Sequence, residues 1–431
     1  MKAFTTTAKL PKEFYVLTAT SITLFLATQT TQPILSLYII QKGATTFELG
    51  IIISLLSFVA IAAKIPLGML AERIGRWPII PVVAIGQTIS LLLYSIAPNH
   101  TWFYPIRIFH ALILAAFAPT ALAIAQDLAP PNKRGTTMGT FLTSIGVAAT
   151  FGPFLCTFLV NYVNYSQLFQ LASVIPLIGL VPLLLVRRES SYVSTHEETS
   201  LLGSLKAIFS SRNMLVLSYL RLTFSFANAF FITLFAVHAE KNLFLTSSLI
   251  ALFFGIKGIT NMLSRIPSGK LADRVGCKWP IILAFTLLTI AFLTISETGN
   301  VYLLVFSMAV YGVAHGMRAV TEWSMLGECA PSEAGNVATA YLSTMFNVGA
   351  ALGAVVAGAL SIIFNIQIIF KLASVIIFSG VFAVNLTKKS QTSTITKCTH
   401  HRQGSVKKTY VRSLEKLKSR PKYTRTNAKK K

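Results

Sequence analysis

Five ionisable side chains fall deep inside long apolar runs: Arg107, Arg221, Lys257, Arg318 and Glu322. A charge at the bilayer centre costs about 2.5–3.5 kcal/mol even on lenient insertion scales, so each must face protein or water and is a candidate for handling substrate, ion or proton. Arg318 and Glu322 are four residues apart and therefore share one helix face. They form either a fixed brace or a carboxylate that exchanges its arginine for a proton. Gln29 and Gln32 add amides that both donate and accept. Together the five ionisable residues amount to four cations against one acid. Lys64, Arg265 and Lys371 lie nearer run ends, where their stems let the charge reach the interface.

These residues need a membrane scaffold. With 53% hydrophobic and 12% charged residues, the chain is too apolar for a soluble domain, in which about a quarter of residues are charged. Spanning the hydrocarbon takes roughly 20 apolar residues in a helix, because backbone amides there must bond within their own segment. Twelve such segments are expected, near 14–40, 46–70, 78–96, 102–126, 136–160, 168–186, 214–238, 246–270, 279–296, 300–326, 336–364 and 366–386. The first is too long for a signal-peptide core and contains Gln29, Gln32 and Pro33 without a small-residue cleavage site, so it is expected to be a retained helix.

Charge gives the expected orientation. Most Lys and Arg lie in the termini and in the loops on their side, against Lys42 and Lys241 on the other, so both termini are expected in the cytoplasm of a multi-pass cell-membrane protein. Fifteen basic residues fall in the tail, 387–431; a segment attracted to anionic lipid is expected there, not a nucleic-acid-binding one. Cys156, Cys277, Cys329 and Cys398 are scattered, and neither a disulfide framework, a metal site nor a cofactor is expected. There is no Walker A, HExxH or GxSxG context, which argues against an enzyme. His110 and His315 read as packed or hydrogen-bonded helix residues.

The polar stretch at 187–213 splits the chain into an amino-terminal unit (1–186), a linker with an interfacial helix around Leu201 to Ser210, a carboxy-terminal unit (214–386) and the tail. The two units repeat. "GMLAERIGRWPII" (68–80) returns as "GKLADRVGCKWPII" (269–282), and at an offset of 201 Lys64 matches Arg265, Pro66 matches Pro267, and Asp127 matches Glu328. Such a repeat implies parallel copies of one six-helix unit, related by an axis along the membrane normal. The expected fold is an all-α membrane protein of twelve transmembrane helices in two parallel-related six-helix bundles.

Two six-helix halves, a central loop and G-x-L-A-[ED]-R-x-G after spans two and eight resemble the major facilitator superfamily of secondary transporters, over roughly residues 10–386. The resemblance implies a conformational latch of Gly68, Glu72, Arg73, Gly75, Arg76 and Asp127, and a second of Gly269, Asp273, Arg274, Gly276, Lys278 and Glu328. Gly68 and Gly269 would let a neighbouring helix approach closely. Glu72 would face the start of span eleven near Gly335, and Arg76 would pair with Asp127. In the second copy Cys277 aligns with Arg76, with Lys278 its substitute through a one-residue slip. The alternative is that these charges only set topology.

The resemblance also places spans one, four, seven and ten around a central cavity. Arg107 in "RIFHA" matches the family's span-four R-x-x-x-G with Ala111 in place of glycine, and "GVAATFGPFLC" (146–156) resembles the span-five motif of drug–proton antiporters with Cys156 in place of glycine. The expected function is secondary transport of a small solute by alternating access, as proton-coupled efflux of a drug or metabolite by a monomer. Proton-coupled uptake of an organic anion and a transporter-like receptor remain alternatives.

Overall fold

The computed structural model describes residues 10–130, 134–183, 201–329 and 335–387. The unit boundary at 186/187, the tail with its expected lipid contact, and the side chain of Glu72 lie outside the described residues.

The helices are α1 (Lys12–Gln41), α2 (Thr46–Ile74), α3 (Ile79–Ile96), α4 (Phe103–Asp127), α5 (Arg134–Leu159), α6 (Tyr165–Ile178), α7 (Leu180–Leu183), α8 (Leu201–Ser210), α9 (Arg212–Lys241), α10 (Ser247–Val275), α11 (Lys278–Glu297), α12 (Val301–Cys329), α13 (Gly335–Ile363) and α14 (Ile366–Asn385). Among the described residues eleven spans are long and apolar enough to cross a membrane, α6 and α7 together making one of them. The twelfth long helix is α1, diluted by Thr28, Gln29, Thr30, Thr31 and Gln32.

Local chemistry sets the helix ends twice over. Thr45 and Glu48 form a capping box at the start of α2, and Thr246, 201 residues on, caps α10 by accepting from the Leu249 amide. Gly75 and Gly276 end the same two helices at φ +91° and +80°, in the left-handed region where only glycine is unstrained.

Packing repeats in the same way. Pairs α1/α5, α2/α4, α3/α6, α3/α4 and α1/α6 recur as α9/α13, α10/α12, α11/α14, α11/α12 and α9/α14. The result is two six-helix bundles that meet along two seams, α2/α13 and α5/α10. Both seams are backbone against backbone. A Cβ on Gly50 would lie 2.9 Å from the Gly358 Cα, and one on Gly258 2.4 Å from the Ala149 carbonyl oxygen. Small residues permit this approach, which replaces a hydrophobic driving force absent in lipid.

The end of the bundles opposite the repeated motifs is drawn together. There Ser361 donates to Thr46 Oγ1 at 2.6 Å, Asn161 to Ser248 Oγ at 3.2 Å, Ser248 to the Thr157 carbonyl at 3.1 Å, and the hydroxyls of Tyr165 and Ser247 lie 2.5 Å apart. The motif end differs from the sequence expectation. A Cβ on Gly68 would meet nothing within 4 Å, and one on Gly269 only Val320 at an ordinary 3.6 Å. The hydrogen bonds joining the bundles concentrate at the far end, and no helix is pressed onto either motif glycine. The linker helix α8 seats Ile208 in a cluster with Met214, Leu217 and Leu342, so its apolar face is covered at least in part by α9 and α13. The side chains of Leu202 and Leu205 lie outside the described residues.

The α9/α13 crossing yields a packing prediction. A Cβ on Gly353 would sit 2.3 Å from the Phe226 carbonyl oxygen, whereas Gly139 has nothing within 4 Å. Gly353→Ala should destabilise by about 1–3 kcal/mol through overpacking, and Gly139→Ala should be neutral or mildly stabilising. Equal thermal midpoints for the two purified variants would contradict this packing.

Candidate substrate site and motif contacts

A cavity of about 320 Å³ lies where the bundles face each other, walled by α1, α2, α4, α9 and α13. Most of its wall is apolar, from residues such as Phe25, Ile53, Leu56, Leu114, Phe117 and Phe346. Gln32, Asn228 and Asn347 supply amides, and among the described residues the only charged wall residues are Arg107 and Lys64. Arg107 is buried, and its Nε has no partner among the described residues. Lys64 donates to Ser343 Oγ at 3.4 Å, across the seam. No carboxylate faces this space among the described residues. Gln29 is a correction: it is not part of the wall, because its Cβ and backbone abut Gly152 of α5. Three residues turn the helix by about 300°, so Gln29 and Gln32 do not point the same way.

Behind Arg107 runs an uncharged polar chain that sequence reasoning did not find. His110 Nδ1 lies 3.4 Å from the Tyr94 hydroxyl, its Nε2 lies 3.0 Å from Gln87 Oε1, and Gln87 donates to Thr28 Oγ1 at 2.9 Å. Thr28 belongs to the cavity wall. The chain satisfies the buried side chains of Tyr94, His110 and Gln87, each costly to leave unpaired in hydrocarbon, and ends on the half-buried Thr28. Gln87 gave no signal because an uncharged amide in an apolar run is unremarkable by composition.

The carboxy-terminal bundle holds a buried ionic trio. Glu322 and Arg318 pair on α12, and Arg221 of α9 donates to the same Glu322 Oε2 at 2.7 Å. Arg221 lies over the rings of Trp323 and Phe346, at 5.0 and 5.4 Å, and Arg318 over Phe224 at 3.6 Å. Phe346 is also a cavity wall residue, so the trio touches the cavity through that ring. Glu322 Oε1 and the Nε atoms of both arginines keep no hydrogen-bond partner among the described residues. Lys257 stands apart on α10, inside a box of Phe231, Tyr311 and Phe254. His315 packs on Phe224 and Tyr311.

At the motif loops, Arg76 pairs with Asp127. In the second copy Cys277, not Lys278, takes the corresponding place, its thiol 3.4 Å from Glu328 Oε1. Both contacts span 51 residues, so the register is conserved through the duplication and no slip occurs. Lys278, Asp273, Arg274 and Arg73 are exposed. Burial, with Glu328 next in importance, pushes the Cys277 thiol up to about 12.

The Major Facilitator Superfamily family model matches residues 17–256 and 222–421. The chain belongs to the Major Facilitator Superfamily and is a multi-pass membrane transporter, not an enzyme. It is 23% identical over 381 residues to an uncharacterised MFS-type transporter of Methanocaldococcus jannaschii, covering 87% of this chain and 96% of that one. It is 24% identical over 372 residues to the multidrug resistance protein MdtG of Salmonella arizonae, covering 84% and 92%. Among solved structures it resembles the nucleoside transporter NupG, with TM-score 0.72, 15% identity and coverage of 87% and 99%. It also resembles a bacterial homologue of the human lysosomal transporter Spinster, with TM-score 0.69, 16% identity and coverage of 88% and 95%. At these identities the structural likeness speaks to fold alone.

Two predictions follow from the ion contacts. Glu322→Leu leaves two buried guanidinium groups without a counter-ion and should cost about 3–5 kcal/mol. Combining it with Arg221→Met and Arg318→Met should restore much of the thermal midpoint, and a triple variant as unstable as the single one would refute the account. For Cys277, the thiolate is the nucleophile, so in a variant with the other three cysteines as serine, N-ethylmaleimide labelling should be slow at pH 8. The rate should climb about tenfold per pH unit towards pH 11; a plateau by pH 9 would contradict it.

Proposed function

We propose that the protein moves a small amphipathic solute bearing an anionic group across the membrane by alternating access, in the direction of efflux and coupled to protons. The observation that carries this reading is the cavity between the bundles, apolar over most of its wall and charged only through Arg107 and Lys64. Apolar walls take up the body of a solute, and unopposed cations in a low-dielectric setting favour a negative group. Efflux is supported by the MdtG relatives, whose name records multidrug resistance. The Arg221–Glu322–Arg318 trio is the natural coupling element, since one carboxylate faces two cations and a proton on it frees both for an anion.

In this reading the loops rich in Lys and Arg, with both termini, face the cytoplasm. The described conformation, closed at the far end, is then the one open towards the cytoplasm, and the motif glycines find their neighbours only when the bundles rock the other way. Glu72 would meet the α13 start near Gly335 in that second state.

The test uses proteoliposomes with an imposed pH gradient and matched pairs of amphipathic fluorescent carboxylates and their neutral esters. Carboxylates should be accumulated and esters not. Arg107→Gln should raise the KM for the carboxylates roughly tenfold or more, the scale of a lost charge-assisted hydrogen bond, with little change in insertion. Equal handling of acid and ester would remove the anion preference and leave broad amphiphile efflux, which the apolar wall and the MdtG relatives also favour.

A further inference from the structure

Lys257 occupies a distinct electrostatic position. Among the described residues no carboxylate pairs with it, and its ammonium is instead surrounded by the rings of Phe231 at 4.4 Å, Tyr311 at 4.6 Å and Phe254 at 5.5 Å. Those rings come from α9, α12 and α10, so the box is built by three helices of one bundle. The next residue, Gly258, lies on the backbone of α5 from the other bundle.

The box adjoins the cavity. The Tyr311 hydroxyl donates to Asn228 Oδ1, and Asn228 is a wall residue. The repeat gives a second, independent placement: at the offset of 201 that relates α2 to α10, Lys257 corresponds to Leu56, which lines the cavity from the first bundle. Aromatic faces replace part of the hydration an ammonium loses on burial. They do not cancel its charge, and the field of an unneutralised cation reaches across low-dielectric space. Arg107 and Lys64 in the wall, and Arg221 and Arg318 beyond Phe346, have the same sign, with Glu322 alone opposing them.

We propose that Lys257 sets the charge selectivity of the cavity: its caged ammonium keeps cationic amphiphiles out, and once it is removed the Phe231, Tyr311 and Phe254 box becomes a site for a lipophilic cation. This rests on the reading that the cavity between the bundles is the solute site. A chain that carries its own cation into an aromatic box denies that box to any other. The same box without a tethered cation has the chemistry that binds quaternary onium groups.

Tetraphenylborate and tetraphenylphosphonium test this directly, because they share a shape and differ in sign. Equilibrium dialysis against purified protein in nanodiscs should show that the wild type prefers the borate. Lys257→Met, which keeps an unbranched chain among the rings and removes a buried charge, should shift the ratio of the two dissociation constants towards the phosphonium by roughly a hundredfold or more, since one unit charge at about 10 Å in an effective dielectric near 20 moves each constant more than tenfold, in opposite directions. Lys257→Arg should keep the wild-type preference. Adding Phe231→Leu to Lys257→Met should abolish the gained phosphonium binding. Lys257→Gln serves the same purpose should the Met variant not fold, with the thermal midpoint as the check. A folded Lys257→Met or Lys257→Gln protein that retains the wild-type ratio overturns the proposal and leaves the cavity reading intact. A wild type that binds neither ion, or prefers the phosphonium, overturns the cavity reading and this proposal together.

Discussion

One carboxylate oxygen, Glu322 Oε2, is the shared counter-ion of Arg318 and Arg221, and the carboxy-terminal bundle is organised around that constraint. In hydrocarbon an unpaired charge is costly by several kcal/mol, so α9 and α12 must stay close enough for Arg221 to reach across to α12. The surplus positive charge is spread over the ring faces of Phe224, Trp323 and Phe346. Because Phe346 is also part of the cavity wall, a change in the ionic trio is felt there as a change in ring position and field. The trio brings the electrostatics of the bundle to the edge of the cavity without itself lining it.

Among the described residues the interior of the first bundle solves the same packing problem without a carboxylate. At the repeat offset, Phe117 and Ala121 stand where the second bundle has Arg318 and Glu322. Polar character there comes from the Tyr94–His110–Gln87–Thr28 chain, whose partners are mutually satisfied, and from Arg107, whose counterpart is Met308. Duplication supplied two identical frames, five recurring helix pairs and two glycine-lined seams. The side chains that can do chemistry are those in which the copies diverged, and they leave the two walls of the cavity electrostatically unlike.

The frame was legible in the sequence because its causes are local or periodic. Bilayer thickness fixes span length, Thr45 and Thr246 announce helix starts, and the offset of 201 carries Gly75 onto Gly276 with the same backbone conformation. The Arg318 and Glu322 pair was legible from a spacing of four. Arg221 was named as an intramembrane charge, but its partner, 101 residues away, depends on how α9 packs on α12, which no local pattern encodes. Gln29 was misassigned because helix rotation, not composition, decides which amide faces the cavity. Cys277 aligns with Arg76 and Lys278 offers the charge through a one-residue slip; the backbone keeps the register and gives Glu328 a thiol.

The contacts at the motif loops also bear on how the bundles can move. Arg76–Asp127 and Cys277–Glu328 each join two helices of one bundle, α2 and α3 loops to α4 in the first and their equivalents in the second. Each contact therefore lies within one unit and crosses neither seam. What must change is the set of contacts between units, and these are of two kinds. At the far end they are hydroxyl and amide hydrogen bonds, individually worth only about 0.5–1.5 kcal/mol net and replaceable by water. Along the seams backbone meets backbone at Gly50, Gly358 and Gly258, beside a few side-chain contacts such as the Phe154 ring against Gly255 and Lys64 on Ser343. The contacts inside each unit and those between units are thus separate sets, and the charged cavity lies where the two units face each other.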